Sequence, residues 1–170
     1  MVIRKQELHA GDILCFVNDG SFIGNTIENF TGSSITHIGM MIDSENFVES
    51  QWSGVRKQHI QRLKNESRRV IVCPLNNFES SLIQKDLAKF NMLVDSRIGQ
   101  PYDYIQLVKF AGHILSFGLY KPSENNRLNV CSELAGWILE NMYIIFNVNT
   151  SLMTPQDIYD LPIYKRKYHL

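Results

Sequence analysis

Two strand-like segments that are separated by only a short stretch of sequence restrict what this chain can fold into. The segment Thr36–Asp43 is largely apolar but carries His37. The segment Phe47–Trp52 begins with apolar residues and is interrupted by Glu49. A short polar stretch, Ser44-Glu45-Asn46, separates the two, which predicts a tight antiparallel hairpin. The fold must therefore place a histidine and a carboxylate on neighbouring antiparallel strands.

Other strand and helix signals surround this hairpin. Ile13–Val17 is apolar on both faces and predicts a central buried strand, and Val70–Leu75 predicts a second buried strand. The stretch Gln58–Arg69 is polar and basic, so we expect it to be exposed. The predicted helices are Ser21–Phe30, Glu79–Ile98, Tyr104–Tyr120, Cys131–Met142 and a last one with Thr154 as N-cap, Pro155 in the first turn and Asp157 completing a capping box.

The bulk composition limits the class of protein. A length of 170 residues predicts one domain over residues 1–170, and 44% hydrophobic residues are enough for a core. Lys+Arg and Asp+Glu both number 17, and a net charge of zero argues against a nucleic-acid binder, which needs a basic excess. Basic and aromatic residues gather in Tyr164–His169, which we expect to be a solvated end rather than a membrane or nucleic-acid contact.

Cysteine usage and apolar patterning indicate the compartment. The cysteines Cys15, Cys73 and Cys131 are odd in number and widely spaced, which argues against a disulfide framework and a zinc site. No metal is therefore expected at these cysteines, and a cysteine nucleophile activated by a base needs no metal or organic cofactor. Residues 1–12 lack the apolar core of a signal peptide, and the most apolar window, residues 105–120, is too short for a membrane span. A cytoplasmic protein is the default expectation, with leaderless export left open.

Cys131 is the candidate nucleophile. It opens an apolar helical segment, where unpaired backbone N–H groups and the helix dipole favour a thiolate. The same N–H groups could hold the oxyanion of a substrate carbonyl. A buried core thiol is the alternative, since free cysteine is among the most buried residue types. Cys15 and Cys73 lie inside apolar strands and are predicted to be structural.

His37 and Glu49 complete a candidate set of reacting groups. A thiol needs a base to become a nucleophile, and the base needs a group to orient it. Glu49 interrupts an apolar strand, and a buried carboxylate requires a partner. A two-residue turn would put the pair on opposite faces of the hairpin, whereas a three-residue turn or a bulge would put both on one face.

The turn that begins Gly99-Gln100-Pro101 presents two phenols and a carboxylate. Asp103 fits the N-cap of the following helix. Alternatively, the hydroxyl of Tyr102 lines the site and binds substrate. Both interpretations stay open on these residues alone.

Several short motifs, in one consistent order, resemble a known family. They are Gly11-Asp12-Ile13-Leu14, Thr31-Gly32-Ser33 before Thr36-His37-Ile38-Gly39, Val48-Glu49-Ser50 before Gly54-Val55, Gly99-Gln100-Pro101-Tyr102-Asp103, and Val130-Cys131-Ser132-Glu133-Leu134. Together they resemble the circularly permuted branch of the NlpC-type papain-like cysteine hydrolases, the YiiX/YebB-like group. The His-before-Cys order is what a circular permutation of a papain-like chain produces. The resemblance covers about residues 10 to 160.

The resemblance implies a fold and a function. The expected fold is α+β, a small antiparallel sheet or half-barrel packed against helices that include the nucleophile helix. Cys131 would be the nucleophile, His37 the general base, Glu49 the orienting residue and Tyr102 a substrate-lining residue. The implied activity is cleavage of an amide in a peptide or cell-wall peptide, or of an acyl bond, through an acyl-enzyme.

Two other functions remain open at this point. One is a lipid acyltransferase or thioesterase with the same three residues. The related lecithin–retinol acyltransferase branch carries Asn-Cys-Glu-His, which the Asn-Val-Cys-Ser-Glu run here matches less well. The other is a non-catalytic papain-like module used for binding or assembly. Substrate identity and oligomeric state are not given by the residues.

Overall fold

An open antiparallel sheet dominates the computed structural model, which describes residues 7–20, 25, 28–29, 32–51, 53–65, 69–101 and 131–170. Within these residues it has six strands in the order β4-β3-β2-β1-β5-β6. The strands are β1 (Ile13–Val17), β2 (Ile35–Met41), β3 (Asn46–Gln51), β4 (Gly54–His59), β5 (Val70–Cys73) and β6 (Tyr168–His169).

Four α-helices and two 3-10 helices accompany the sheet in the same described residues. The α-helices are α1 (Asn77–Lys85), α2 (Leu87–Asp95), α3 (Cys131–Asn141) and α4 (Pro155–Asp160), and the 3-10 helices are Ile60–Asn65 and Thr150–Leu152. None of these helices combines the length and the apolar character needed to cross a bilayer. The fold is α+β, as expected.

Both faces of the sheet are covered. One face packs against α3 and α4 in a core that includes Ile38, Met40 and Ile138. The opposite face forms a smaller core around Phe16 and Phe47, closed in part by the 3-10 helix at Ile60–Asn65. Strand β1 is buried at every position, which confirms the prediction of a central strand apolar on both faces.

The C-terminal helix forms as its capping signals predicted. The side chain of Thr154 accepts a hydrogen bond from the Asp157 N–H, and the Asp157 carboxylate accepts one from the Thr154 N–H. Pro155 occupies the first turn, where its missing N–H has no intrahelical partner to lose. This capping box is confirmed.

The prediction of one helix over Glu79–Ile98 was wrong, because the segment forms two helices. Asp86 leaves the helical conformation with φ −133° and ψ 54°, and its N–H bonds to the carbonyl of Ile83 at the end of α1. Its carboxylate then accepts a hydrogen bond from the N–H of Lys89 and caps α2. An aspartate that competes for backbone groups breaks the helix although the apolar periodicity continues.

Two polar segments are exposed in part, as expected, but also make specific contacts. The C-terminal run leaves Lys165, Arg166 and His169 exposed, as a solvated end would, while Tyr168 pairs with Val72 in β5 and the Lys167 ammonium lies 3.6 Å from the centre of the Tyr159 ring. The stretch Gln58–Arg69 is exposed at His59, Gln61, Lys64 and Arg69, but Leu63 within it is buried. The predicted helices at Ser21–Phe30 and Tyr104–Tyr120 lie largely or wholly outside the described residues.

Gly54 starts the strand that the sequence did not predict. Its φ of +102° is unfavourable for any residue with a Cβ, and a Cβ built there would lie 2.7 Å from the carbonyl oxygen of Gln100. The same Gln100 carbonyl accepts a hydrogen bond of 2.9 Å from the N–H of Val55. The turn around Gln100 thus docks closely on the start of β4.

Replacing Gly54 by alanine should therefore destabilise the fold more than a positive φ alone explains. Gly20 is a matched control, because its φ is +80° and nothing lies within 4 Å of a Cβ built there. We expect Gly20→Ala to lose about 1 kcal/mol and Gly54→Ala about 3 kcal/mol of unfolding free energy, measured in urea. Equal losses for the two variants would show that the contact with Gln100 does not matter.

Candidate active site

The turn between β2 and β3 sets which residues share a face of the sheet. The Asp43 carboxylate accepts hydrogen bonds of 2.8 Å from the backbone N–H groups of Glu45 and Asn46. These bonds hold a turn of three residues, and the strands then pair Gly39 with Glu49. In this register His37 and Glu49 lie on one face, diagonally across the hairpin.

His37 and Glu49 are in contact. The Nε2 atom of His37 lies 3.1 Å from Oε2 of Glu49, and the two side chains are 12% and 2% exposed. Gly39 adds no side chain to this face, and a Cβ there would lie 3.0 Å from the Phe47 ring. The ring of Phe16 packs beside the imidazole with 5.0 Å between the ring centres. The histidine is therefore held by aromatic packing and by a carboxylate.

A β-bulge lies directly before His37. Phe16 pairs with His37, but the next residue of β1, Val17, pairs with Ile35, so that Thr36 is extra on β2. Bulges bend a strand and re-aim the adjacent side chain. The bulge lies on β2, the strand that contacts α3, the helix that begins at Cys131.

The Cys131 thiol contacts the His37 imidazole on the side away from Glu49. The thiol hydrogen-bonds to the His37 side chain, and the backbone N–H groups of Ile38 and Ser132 donate to the sulfur. Since Nε2 of His37 is engaged by Glu49, Nδ1 is the nitrogen left for the thiol. Sulfur, imidazole and carboxylate thus form a continuous hydrogen-bonded chain.

The N–H of Ile38 can donate to the sulfur because the pairing between β2 and β3 starts only at the next residue, Gly39. The pair at that end of the ladder is Gly39 with Glu49. The N–H of Ile42 points towards β3, where it bonds to the carbonyl of Asn46, and N–H directions repeat every second residue. The Ile38 N–H therefore also points towards β3, beyond the end of the pairing, and donates to the sulfur instead.

The charges of the site reinforce one another. Burial by itself lowers the pKa of His37, but the neighbouring Cys131 and Glu49 outweigh burial and raise that pKa from 6.5 to about 9. Burial by itself raises the pKa of Cys131, whereas the His37 charge and the two backbone N–H groups lower it below its usual value. The two shifts favour the thiolate–imidazolium pair over the neutral pair.

The other two cysteines behave differently. The Sγ atoms of Cys15 and Cys73 lie 3.6 Å apart on adjacent strands, and both residues are fully buried. Their mutual hydrogen bond and burial raise the pKa of the Cys15 thiol well above its usual value. The pKa of the Cys131 thiol, by contrast, is lowered, and a histidine is among the causes.

Glu49 is surrounded by groups that the sequence did not single out. Its Oε1 accepts hydrogen bonds of 3.3 Å from both Nε and Nη2 of Arg56 and from Nη1 of Arg62. Its Oε2 accepts a bond of 2.9 Å from Nε2 of Gln51 in addition to that of His37. A buried carboxylate needs cations beside it. Both arginines lie within 13 residues of Glu49 in the chain, and this closeness is the sequence signal that could have indicated them.

The substrate-lining role predicted for Tyr102 falls on a residue outside the described part of the chain. The turn that precedes it is docked on β4, where the Gly99 N–H bonds to the Val55 carbonyl at 2.8 Å.

Comparisons with known proteins inform the fold. No family model matches the sequence, and no curated protein matches it. A solved structure, that of the metalloprotein YiiX from Escherichia coli O157:H7, is similar with a TM-score of 0.50 and 15% sequence identity. The alignment covers 96% of this chain and 97% of YiiX. The chain therefore shares the overall fold of YiiX.

The described residues do not fit a metal ion at this site. They contain no group of three or more His, Cys, Asp or Glu side chains placed to hold one. Both oxygens of Glu49 already accept N–H donors, and two of the donor groups are guanidinium cations. A divalent cation at Glu49 would have to displace these bonds.

The lowered pKa of Glu49 predicts an acid-dependent loss of stability. Burial raises this pKa, but bonds and charges from His37, Arg62 and Arg56 outweigh it and hold the pKa below 4.5. As pH falls, Glu49 therefore takes up a proton in the unfolded chain before it does so in the folded protein. Its contribution to stability is complete above about pH 4.5 and is lost as pH falls through the pKa of the folded state.

We expect the stability of the wild type to fall more steeply below about pH 5 than that of Glu49→Gln, which lacks this titration. At neutral pH the same variant should be about 2 kcal/mol less stable, because it leaves two arginines without their anion. Urea unfolding at several pH values measures both effects. Parallel stability curves for the two proteins would contradict the assigned charge network.

Proposed function

We propose that this protein is a cysteine hydrolase that cleaves an amide bond through an acyl-enzyme on Cys131. The observation that carries the proposal is the hydrogen-bonded chain from Cys131 through His37 to Glu49, with the pKa of the thiol lowered and that of the imidazole raised. A thiol, a base that bonds to it and a third group that orients the base are the parts of an activated nucleophile. His37 precedes Cys131 in the chain, in the order of a permuted papain-like fold.

In the first step the Cys131 thiolate attacks the carbonyl carbon of the amide. A carbon–sulfur bond forms, and the electron pair of the carbonyl moves to its oxygen. The N–H groups of Ile38 and Ser132, which bond to the sulfur at rest, are the donors that we assign to that oxyanion. As the intermediate collapses, the carbon–nitrogen bond breaks and His37 gives its Nδ1 proton to the leaving amine.

In the second step His37 acts as a base. It takes a proton from water, whose oxygen attacks the thioester carbon; the carbon–sulfur bond breaks, a carboxylic acid is released, and the Cys131 thiolate and the His37 imidazolium are restored. Glu49 stays ionised throughout, and its Oε2 keeps the imidazole oriented through the bond to Nε2. The buried position of Glu49, 1% exposed, keeps water from competing for that bond.

The proposed substrate is a peptide or a cell-wall peptide, on the strength of the resemblance to the permuted NlpC-type enzymes. Thioester hydrolysis or transfer to a lipid acceptor would use the same three residues. A panel of peptide amides, peptidoglycan fragments and acyl thioesters separates these outcomes, since the proposal requires amine release from an amide substrate.

Labelling with a thiol-directed probe tests which cysteine reacts. We expect iodoacetamide to modify Cys131 in the native protein and to leave Cys15 and Cys73 unmodified, because their thiols are fully buried and bonded to each other. Cys131→Ala should abolish labelling, and Cys15→Ala, the control, should retain it. Peptide mass mapping reads out the site. Labelling that survives Cys131→Ala would overturn the assignment of the nucleophile.

The pH dependence of that labelling tests the role of His37. In the wild type the thiolate persists below the usual thiol pKa because the imidazolium stabilises it. In His37→Ala no imidazolium charge opposes the effect of burial on the thiol. The pKa of Cys131 should therefore rise by at least one unit, and the rate of labelling at about pH 6 should fall about tenfold or more. His59→Ala, an exposed histidine in β4, is the matched control. Identical pH profiles for wild type and His37→Ala would rule out the thiolate–imidazolium pair.

A further inference from the structure

We propose that Arg56 is a positioning residue for the active site: with Gln51 it fixes the Glu49 carboxylate so that one oxygen faces His37. The inference rests on the proposed function, since it assigns a role in orienting the histidine of that same site.

The strand register brings Arg56 to Glu49. The two residues are directly paired between β3 and β4, so their side chains leave the sheet on the same face. Two nitrogens of the guanidinium, Nε and Nη2, both lie 3.3 Å from Oε1 of Glu49. This contact engages one oxygen of the carboxylate and leaves Oε2 to His37.

Gln51 closes a ring with these two residues. It lies two positions after Glu49 on β3 and so projects from the same face. Its Nε2 donates to Oε2 of Glu49 at 2.9 Å, and its Oε1 accepts a hydrogen bond from Nη2 of Arg56. Each oxygen of the carboxylate is therefore held from a different direction, which prevents rotation about the terminal bond of the side chain.

The orientation of Glu49 decides that of His37. A carboxylate in the protein interior that lost its donors would turn or take up a proton. Either change removes the acceptor of the Nε2–H group and releases the imidazole. The ring thus links the edge strand β4 to the nucleophile through Glu49 and His37.

Arg62 contributes charge but lies outside this ring. It reaches the same Oε1 from the 3-10 helix through one nitrogen at 3.3 Å. The charged or titratable groups in direct contact with Glu49 among the described residues are His37, Arg56 and Arg62. Arg56 alone combines a bond through two nitrogens with a bond to Gln51, which is why the positioning role is assigned to it.

Three variants test the proposal: Arg56→Gln, Arg56→Lys and, as the matched control, Lys57→Gln. Lys57 is the next residue of β4, is exposed and leaves the other face of the strand, so its replacement removes the same charge without touching the ring. The measurements are the carbon-13 titration of the Glu49 carboxyl by NMR and the rate of iodoacetamide modification of Cys131 against pH.

We expect Arg56→Gln to raise the titration midpoint of Glu49 by about one unit and to slow modification of Cys131 at about pH 5 up to about threefold. Lys57→Gln should keep the wild-type rate. Arg56→Lys keeps the charge beside Oε1 but not the two-nitrogen contact, and should recover only about half of the shift. A purely structural role would lower the melting temperature of Arg56→Gln and leave both pH profiles unchanged, which would overturn the proposal.

The wild-type profile separates this proposal from the proposed function. If the wild type shows no modification of Cys131 below about pH 7, the thiolate–imidazolium pair fails and the function fails with it. If the wild type reacts at low pH and Arg56→Gln follows the same curve, the function stands and the role of Arg56 is wrong. If Arg56→Gln does not fold, Arg56→Lys still tests the proposal. A Glu49 titration in Arg56→Lys identical to that of the wild type would show that the two-nitrogen contact is dispensable.

Discussion

The burial of one carboxylate, that of Glu49, organises this part of the protein. An ionised carboxylate removed from water costs several kcal/mol unless donors replace its hydration. Five N–H···O contacts from three other strands or helices and from β3 itself meet that requirement here. Strands β2 and β4 and the 3-10 helix at Ile60–Asn65 are all held to β3 through it. The group that stabilises this corner of the fold is also the group that orients His37.

The site lies where regular structure ends. The bulge before His37 and the end of the β2–β3 ladder both interrupt the sheet at the point where the Cys131 sulfur approaches. An uninterrupted ladder would have used the Ile38 N–H for pairing and left only the Ser132 N–H to donate to the sulfur. The cost of one missing strand pair is offset by charge-assisted bonds to a thiolate, which are stronger than bonds between neutral groups.

Sequence patterns predicted the apolar elements well and the polar ones poorly. β1 and the capping box at Thr154 followed from local signals and are confirmed. β4 was missed because an edge strand with alternating exposure carries little apolar signal, and its stabilising contact, Arg56 with Glu49, crosses strands. The C-terminal run was assigned to solvent because its charges suggested it, yet Lys167 is held by the Tyr159 ring and carbonyl.

The sequence alone determined the hairpin, the central strand and the presence of a cysteine, a histidine and a glutamate in separate elements. It did not determine whether His37 and Glu49 share a face, because a change of one residue in the turn reverses every side chain of a strand. The hydrogen bonds of Asp43 settle the three-residue turn, and helix packing brings Cys131 to the open end of the ladder. Nor did the sequence indicate that Arg56 and Gln51 hold the carboxylate, because contacts between strands depend on register, and register is a property of the folded sheet.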